Sequence, residues 1–363
     1  MTIRAILAIA TTCLIASCAG HGDAALPADP VQGAFALIAP AAADALRDAP
    51  TSPARAAAIR SADRVADRLP HTVPRIHVEG TLPHQGIYDE SREALRDFPA
   101  ARDLALAARL TGRERYATQA ARLIEAWSSA YRPSFNPIDE TGIDGLVVAY
   151  DLLPDAAKAP LARSVGRLLR ELAEGYLERM PSLRGGTATN NWQSHRIKLV
   201  ALTAYAIGDP ALIAGARRAY AAQLAANIGA DGTTIDFTQR DAVHYVVYDL
   251  EPLALAALAA ARHGDDWYHL RAPSGASLAQ ALDWLVPYAD GSRTHVEFVH
   301  STVRFDGERR DAGVPGFAGD FDPKVAREVF ALAARLDGRY AALARKLGAS
   351  DPLLDIAWPL ASK

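Results

Sequence analysis

Cysteine is almost absent from this chain of 363 residues, which has only Cys13 and Cys18, both close to the start. If an export signal ends at Cys18 and that residue carries a lipid, the mature domain keeps no free thiol. Disulfide bonds, cysteine nucleophiles and thiolate metal sites are then excluded.

An excess of charge of either sign is also missing, since the formal net charge is -3. A value so close to zero gives no argument for a nucleic-acid partner, and we expect none. An anionic polymer would have to be met by a local basic cleft. The basic residues are mostly arginine and seldom lysine. That bias fits bidentate recognition of carboxylates and equally fits a bias in genome composition.

The first residues have the pattern of a bacterial export signal. Arg4 supplies a positive start, and residues 5–16 form an apolar stretch that is too short to span a bilayer. Residues 14–18 resemble a lipobox that ends in Cys18, although ordinary cleavage near Gly20 is an alternative. We therefore expect an exported, periplasmic protein that is held at the outer membrane by a lipid anchor.

Three segments follow from this pattern. Residues 1–18 are predicted to be the signal peptide, and residues 19–30 a small, polar, proline-bearing linker typical of a tether. Residues 31–363 are predicted to form one domain, long enough to bury a sizeable core. We expect that domain to be monomeric.

Apolar residues recur at helical spacing along nearly all of this domain. Short connections rich in glycine, proline and aspartate separate the predicted helices, which span residues 34–47, 53–68, 89–110, 114–131, 142–153, 160–180, 191–207, 210–228, 242–263, 277–289, 323–336 and 338–347. Residues 72–79, 233–237 and 294–305 are candidates for short strands or extended loops.

The fold class predicted from this pattern is all-α, as a single domain with few short strands. No fixed repeat length is evident, which disfavours a solenoid with a readable repeat. Helices joined by short connections favour antiparallel hairpins, and we predict that they form an incomplete (α/α) toroid. The polar segments of the chain then fall at loop-to-helix junctions, which line one mouth of the toroid.

Two polar islands interrupt the apolar pattern, and the first spans residues 189–196. Thr189 or Asn190 can cap the helix that follows, which explains one asparagine but not the remaining polar residues. Asn191 and His195 are four residues apart and so share one helix face, on which a histidine is often purely structural.

The second island spans residues 236–245 and continues to Tyr248. Arg240, His244 and Tyr248 recur at four-residue spacing, which predicts one helix face carrying a cation, an imidazole and a phenol. The alternative is a helix whose tyrosines and histidine pack into the core. Together the islands suit binding an anionic substrate and moving a proton better than they suit a metal site.

Several stretches carry a resemblance to a known family. The sequence resembles the alginate lyase-type polysaccharide lyases from about residue 88 to residue 311, on the segments 115–117, 126–127, 136–141, 190–191, 240, 244–245, 250–253, 284–288 and 295–298. The resemblance implies an (α/α) toroid with a long cleft and β-elimination at uronic acids, without a cofactor.

The resemblance also implies roles for individual residues. Asn191 would neutralise the substrate carboxylate, and Tyr245 would act as base and then acid, with Arg240 as the nearby cation. In the family a histidine often follows the two asparagines directly. Trp192 stands at that place here, and His195, one helical turn later, is the candidate to replace it.

Further residues are predicted to contact the anionic polysaccharide. They are Asn190, Trp192, Arg196, His244, Tyr248, Trp127 and Tyr88. Burial in the core is the alternative for the tryptophans. The basic cluster of Arg304, Arg309 and Arg310 is a candidate for binding outlying uronates, and a solvated face is the alternative. His295 and Glu297 are too few to indicate a metal site, so no metal is expected.

The residues leave the substrate and two rival functions open. One tyrosine can serve mannuronate or glucuronate, whose C5 hydrogen and C4 oxygen share a ring face, whereas guluronate or iduronate needs two groups. His195 as base and Tyr245 as acid are candidates for two such groups, so the sequence leaves the epimer open. Trp192 after the two asparagines favours a polymer other than plain alginate, and we expect an alginate- or glucuronan-like one. A glycoside hydrolase on the same toroid would need two carboxyl groups, recruited among Asp139, Glu140, Asp144 and Asp236. A polysaccharide-binding lipoprotein without activity would not need Tyr245.

Overall fold

The structure of the protein is a computed structural model, and it describes residues 30–360. The predicted signal peptide, Cys18 and nearly all of the predicted linker lie outside the described residues.

Helices make up this domain, as the sequence predicts. Their bounds are α1 Pro40–Ala45, α2 Pro53–Val65, α3 Tyr88–Ala94, α4 Asp97–Thr111, α5 Glu114–Ala130, α6 Ile143–Leu152, α7 Asp155–Lys158, α8 Ala162–Arg179, α9 Asn191–Ile207, α10 Pro210–Asn227, α11 Ile235–Arg240, α12 Val243–Arg262, α13 Leu278–Ala289, α14 Arg304–Asp311, α15 Arg327–Leu336, α16 Ala341–Lys346 and α17 Pro352–Ala357.

The helices form an inner and an outer layer. In the inner layer α4 packs against α6, α6 against α9, α9 against α12, and α12 against α15. In the outer layer α5 packs on α4, α8 and α10 on α9, and α13 on α12. Every residue of α9 except Trp192 is buried, as expected for a helix surrounded on all sides. The predicted (α/α) toroid is confirmed.

Inner helices begin at one end of the toroid, and short turns close the other end. Gly112 and Gly208 end α4 and α9 with φ angles of 65° and 71°, a left-handed conformation that glycine adopts without strain. The outer helices then return antiparallel to loops 131–142, 180–190 and 228–242. The mouth formed by these loops therefore receives the positive N-terminal ends of α6, α9 and α12.

The three segments predicted as short strands or extended loops form no strand in the part of the chain that the structure describes. Only two isolated bridges occur there, Ile228 with Thr234 and Val296 with Asp320. Residues 72–79 instead direct backbone N–H groups at a side chain, since Val78 and Glu79 donate to Asp139 at 2.7 and 2.8 Å. A carboxylate replaces the partner strand that such a segment would otherwise need.

One buried carboxylate attaches the start of the described chain to the toroid. Asp151, near the end of α6, accepts the backbone N–H groups of Ala36, Leu37 and Ile38 at 2.7–3.1 Å. Burial raises the pKa of Asp151 to about 6, against the opposing effect of these donors. The side chain satisfies three amides that are themselves out of reach of water.

We expect Asp151→Ala to lower the free energy of unfolding by about 3 kcal/mol or more, because three buried N–H groups lose their acceptor at about 1–3 kcal/mol each. Urea unfolding of residues 30–360 measures the change. Asp155→Ala, at an exposed aspartate of α7, is the control and should change stability by less than about 1 kcal/mol. Equal losses in both variants would contradict the anchoring role of Asp151.

Candidate active site

The two polar islands meet at the mouth through one carboxylate. Asp236 of α11 accepts the backbone N–H of Asn191 at 2.7 Å, and its other oxygen accepts the side-chain amide of Asn191. Asn190 caps α9 by accepting the N–H of Trp192 at 3.1 Å. The contact between the islands therefore consists of buried side chains, and the amide donor of Asn191 is already paired within the protein.

Arg240 lies between two buried aspartates. Its Nη1 donates to Asp306, and its Nε is 3.9 Å from Asp236. That Nε forms no hydrogen bond within residues 30–360. The guanidinium carbon stands 3.8 Å from the ring centroid of Tyr245, a distance at which a cation interacts favourably with an aromatic face.

Arg240 and Tyr248 do not share a helix, so the predicted single face is wrong. Asp241 has a φ of 50°, and this left-handed residue separates α11 from α12. Aspartate tolerates that conformation because its side chain bonds locally. Here the Asp241 carboxylate accepts the N–H of His300 at 2.9 Å, and its carbonyl accepts that of Phe298 at 2.8 Å. The break is what folds Arg240 back over the ring of Tyr245.

A second arginine reaches the hydroxyl of Tyr245. Arg309 of α14 donates from Nη1 to the Tyr245 oxygen at 2.9 Å, and its guanidinium packs against the rings of Phe305 and Phe317. Burial raises the pKa of Tyr245, while the charges of Arg240 and Arg309 oppose that rise. The two cations therefore stabilise the phenolate of a tyrosine that would otherwise hold its proton firmly.

The sequence shows the basic cluster that contains Arg309, but it does not show that Arg309 binds Tyr245. Arg309 lies 64 positions after Tyr245, so no local spacing connects them. Asp306, one turn before Arg309 on α14, has a hydroxyl donor of its own, Ser301 at 2.7 Å. The contact between Arg309 and Tyr245 is long-range and leaves no periodic signal in the chain.

Tyr245 borders a cavity of about 220 Å³. Its walls come from the loop before α3, from α3, α12 and α14, and from the segment after α14. The lining residues are Val78, Glu79, Thr81, Leu82, Pro83, Tyr88, Arg92, Ile138, His244, Tyr245, Tyr248, Arg309, Val314 and Phe317.

Glu79 is the one carboxylate among these lining residues. Burial, and then the charge of Asp139, raise its pKa, while Asn136 and Arg309 oppose the rise. The cavity as a whole offers two arginines, one histidine and three tyrosines. That set of side chains suits an anionic, hydroxylated ligand.

The two candidate histidines occupy different places. His244 lines the cavity, and burial followed by the charges of Arg309 and Arg240 lowers its pKa. His195 is 3% exposed and lies beneath Tyr248, with ring centroids 4.3 Å apart. Tyr248 thus separates His195 from the cavity surface in this structure.

The remaining predicted contact residues divide into accessible and buried ones. Tyr88 lines the cavity, and Trp192 is half-buried. Arg196 is buried, donates to the Thr187 carbonyl at 2.6 Å, and has its pKa lowered to about 10 by burial. Trp127 cannot be a stacking platform here, which corrects the prediction: it is 1% exposed, and its indole N–H donates to Asp97 at 2.8 Å.

Other acidic candidates serve the backbone. Glu140 accepts the backbone N–H of Ser134 at 2.5 Å, and it also accepts from the hydroxyl of Tyr131 at 2.8 Å and from that of Tyr176. Glu297 accepts the N–H groups of Val243 and His244 at 3.1 and 3.2 Å, and so caps the start of α12. In residues 30–360 no group of three or more histidine, cysteine or acidic side chains is arranged to hold a metal ion.

Comparison with known proteins finds one family and several related folds. The family model of the alginate lyases matches residues 39–295. An alginate lyase from Bacteroides ovatus has a TM-score of 0.62 at 17% identity, over 89% of this chain and 98% of that one. Alginate lyase A1-III of Sphingomonas species A1 has a TM-score of 0.56 at 18% identity, over 93% and 98%. No curated protein matches the sequence.

A variant of A1-III, in which a histidine is replaced by alanine, is complexed with a tetrasaccharide. It has a TM-score of 0.58 at 19% identity, over 94% of this chain and 98% of that one. At such identities the likeness to solved structures shows the fold, whereas the family model covers more than half of the chain.

We expect Arg309→Met to raise the pKa of Tyr245 further, because the hydroxyl loses a positive charge that opposes the effect of burial. The phenolate absorbance of Tyr245 is isolated by subtracting a titration of the same protein carrying Tyr245→Phe. Arg310→Met is the matched control, since Arg310 is the next residue of α14 and pairs with Asp311. A phenolate that forms at the same or a lower pH in Arg309→Met would contradict the contact.

Proposed function

Since the chain belongs to the alginate lyase family of polysaccharide lyases, we propose that it cleaves a uronate-containing polysaccharide by β-elimination in the cavity at Tyr245. The observation that carries this proposal is the Tyr245 hydroxyl, which borders the cavity with Arg309 on its oxygen and Arg240 on its ring. This arrangement supplies a phenol that can lose and regain a proton beside fixed positive charge.

The reaction begins at the carbon next to the substrate carboxylate. The Tyr245 phenolate takes the C5 proton, and the electron pair of that C–H bond forms the C4–C5 double bond. The bond from C4 to the glycosidic oxygen breaks, and Tyr245 returns the proton to that oxygen. The products are a new chain end and an unsaturated uronate, so protons and electrons balance without a cofactor.

Neutralising the carboxylate makes the C5 proton acidic enough to be removed. An ionised carboxylate would become doubly negative as the proton leaves, so donors must act where this charge develops. Arg309 is placed for this role, because a carboxylate that binds it lies next to the Tyr245 oxygen. His244 lines the same cavity, and its lowered pKa makes it a neutral donor.

In this mechanism Asn191 acts on the substrate indirectly, through other side chains. Its amide donates to Asp236, and Asp236 stands beside Arg240 at 3.9 Å. We therefore assign Asn191 to holding the aspartate that positions Arg240, and the arginines to neutralising charge. The N-terminus of α12, in whose first turn Tyr245 lies, adds a favourable dipole for the phenolate.

Assigning both proton transfers to Tyr245, whose hydroxyl is bound by Arg309, favours a substrate whose two reacting groups share a ring face. Tyr245 can then perform both proton transfers, as needed for mannuronate or glucuronate. We propose a polymer of one of these residues, alginate- or glucuronan-like. Two variants of alginate lyase A1-III, which has a similar fold, are complexed with a tetrasaccharide.

The geometry gives less support to hydrolysis. A glycosidase needs two carboxyl groups on either side of the scissile bond, and Glu79 is the single carboxylate of the cavity wall. Asp236 and Asp306 are paired with Asn191 and Arg240. Neither is free to act as a hydrolytic acid or base.

We expect ultraviolet absorbance to rise when the protein without its first 29 residues is mixed with polymannuronate or glucuronan, because elimination creates a conjugated uronate. Tyr245→Phe should lower the rate by about 10²–10⁴, as for loss of an acid–base group. Polyguluronate should react far more slowly than polymannuronate.

The control is Tyr88→Phe, which keeps the ring at the cavity wall and leaves the proposed proton-transfer group in place. Chains that shorten without absorbance would identify a hydrolase instead. Binding without shortening on every polymer would identify a binding protein, and full activity of Tyr245→Phe would contradict the mechanism.

We propose further that the protein is exported and anchored through a lipid on Cys18, on the strength of the lipobox pattern at residues 14–18. In a bacterial host, the full chain should fractionate with membranes and incorporate labelled palmitate. Cys18→Ser should lose both properties, whereas Cys13→Ser, in the apolar part of the signal, should keep them. Soluble wild-type protein without label would contradict the anchor.

A further inference from the structure

One carboxylate lies in the wall of the cavity at Tyr245 and has no part in the proposed reaction. Glu79 is half-buried and lines this cavity together with Arg309 and His244. Asn136 is a neighbouring hydrogen-bond donor, but its effect on the pKa of Glu79 is smaller than that of burial, and the pKa is raised. The protein therefore does not replace all of the hydration that this carboxylate loses, and further donors can reach it from the cavity.

The backbone at Glu79 is held from behind by a buried carboxylate. Asp139 is 1% exposed, and it accepts the N–H groups of Val78 and Glu79 at 2.7 and 2.8 Å. The Thr81 hydroxyl donates to the Val78 carbonyl at 3.0 Å. These contacts fix the place of Glu79 in the cavity wall through its backbone, and they leave its carboxylate available to a ligand.

The cavity has a cationic side and an anionic side. Arg309 of α14 donates to the Tyr245 oxygen at 2.9 Å and lies 4.0 Å from Asp306. Its charge opposes the rise in the pKa of Glu79, although its own contacts are with Tyr245 and Asp306. A ligand that fills the cavity therefore meets a guanidinium from α14 and a carboxylate from the loop before α3.

A uronate ring carries groups that suit both sides. Its carboxylate is attached at C5, and its free hydroxyls at C2 and C3 lie at the opposite edge of the ring. The cavity, at about 220 Å³, is smaller than the roughly 300–1,000 Å³ of common ligand pockets, so a single ring contacts both sides. An ionised carboxylate only accepts hydrogen bonds. Glu79 therefore suits the hydroxyl edge and repels a carboxylate presented in its place.

We propose that Glu79 is a specificity-determining residue, whose carboxylate accepts hydrogen bonds from the C2 and C3 hydroxyls of the uronate that is cleaved. This contact rests on the proposed function and adds an orientation to it. A ring bound in this way directs its carboxylate to Arg309 and its C5 hydrogen to Tyr245, whereas a reversed ring places its carboxylate against Glu79. Glu79 thus selects the productive orientation and a ring whose hydroxyls are free.

Kinetics on a cleaved polyuronate, and on the same polymer with its ring hydroxyls O-acetylated, test the contact. Wild-type protein should have a kcat/KM about 10–100-fold higher on the free polymer, as for hydrogen bonds to a charged group, because an acetylated ring offers no donor. Glu79→Ala should lose this preference by losing activity on the free polymer. Glu90→Ala, at an exposed glutamate of α3, is the matched control and should keep the preference.

The charge of Glu79 gives a second readout. Glu79→Gln keeps an acceptor oxygen but no longer repels a reversed ring, so unproductive binding should lower KM and kcat together. Burial raises the pKa of Glu79, so the repulsion is present above that pKa, and wild-type protein should approach Glu79→Gln as the pH falls through it. The other titratable or charged groups around Glu79 are Asp139, His77, Arg92, His244, Tyr245 and Arg309. They are the same in both proteins, so the difference between the two profiles isolates Glu79.

Calorimetry distinguishes the role of Glu79 from the proposed function. In Tyr245→Phe protein the free polymer should bind about 10–100-fold more tightly than the acetylated one, and adding Glu79→Ala should remove the difference. That binding pattern in a protein that cleaves no polyuronate would overturn the proposed function and keep the hydroxyl contact. The same preference in wild-type protein and Glu79→Ala would show that acetyl groups act only through their size, and would overturn the role of Glu79 while the lyase activity stands.

Discussion

The mouth of this protein depends on how its buried charges are paired. Asp236 and Asp306 hold Arg240 between them, and Asp306 lies within 4.0 Å of Arg309. Ions removed from water are tolerated only when partners replace the lost hydration. Because the partners come from α9, α11 and α14, satisfying these charges also brings the three elements together. The cavity at Tyr245 is a consequence of that pairing.

The sequence predicts the helical scaffold well because the signals for it are local. The bounds 191–207 agree with those of α9, where Asn190 caps the start and Gly208 ends the helix. Apolar periodicity and caps are properties of a few adjacent residues, so they can be recognised in the chain itself.

What the sequence does not predict arises from contacts between distant residues. The left-handed Asp241 depends on His300 and Phe298, which arrive from another loop. The burial of Trp127 depends on Asp97 of the neighbouring helix. The hydrogen bond from Arg309 to Tyr245 depends on where α14 is placed. Each of these is decided by packing across the toroid, where spacing along the chain carries no information.

The described chain begins at the closed end of the toroid. The N–H of Val31 donates to the Ile207 carbonyl at 3.0 Å, at the last residue of α9, whereas Asn191 opens that helix at the mouth. The rise of an α-helix separates these two ends by about 25 Å. If the chain is tethered to a bilayer through its N-terminus, the closed end of the toroid would therefore be the end nearer the lipid. Its cleft would face open solvent, where a long polymer can thread across it without passing through the narrow gap above the headgroups.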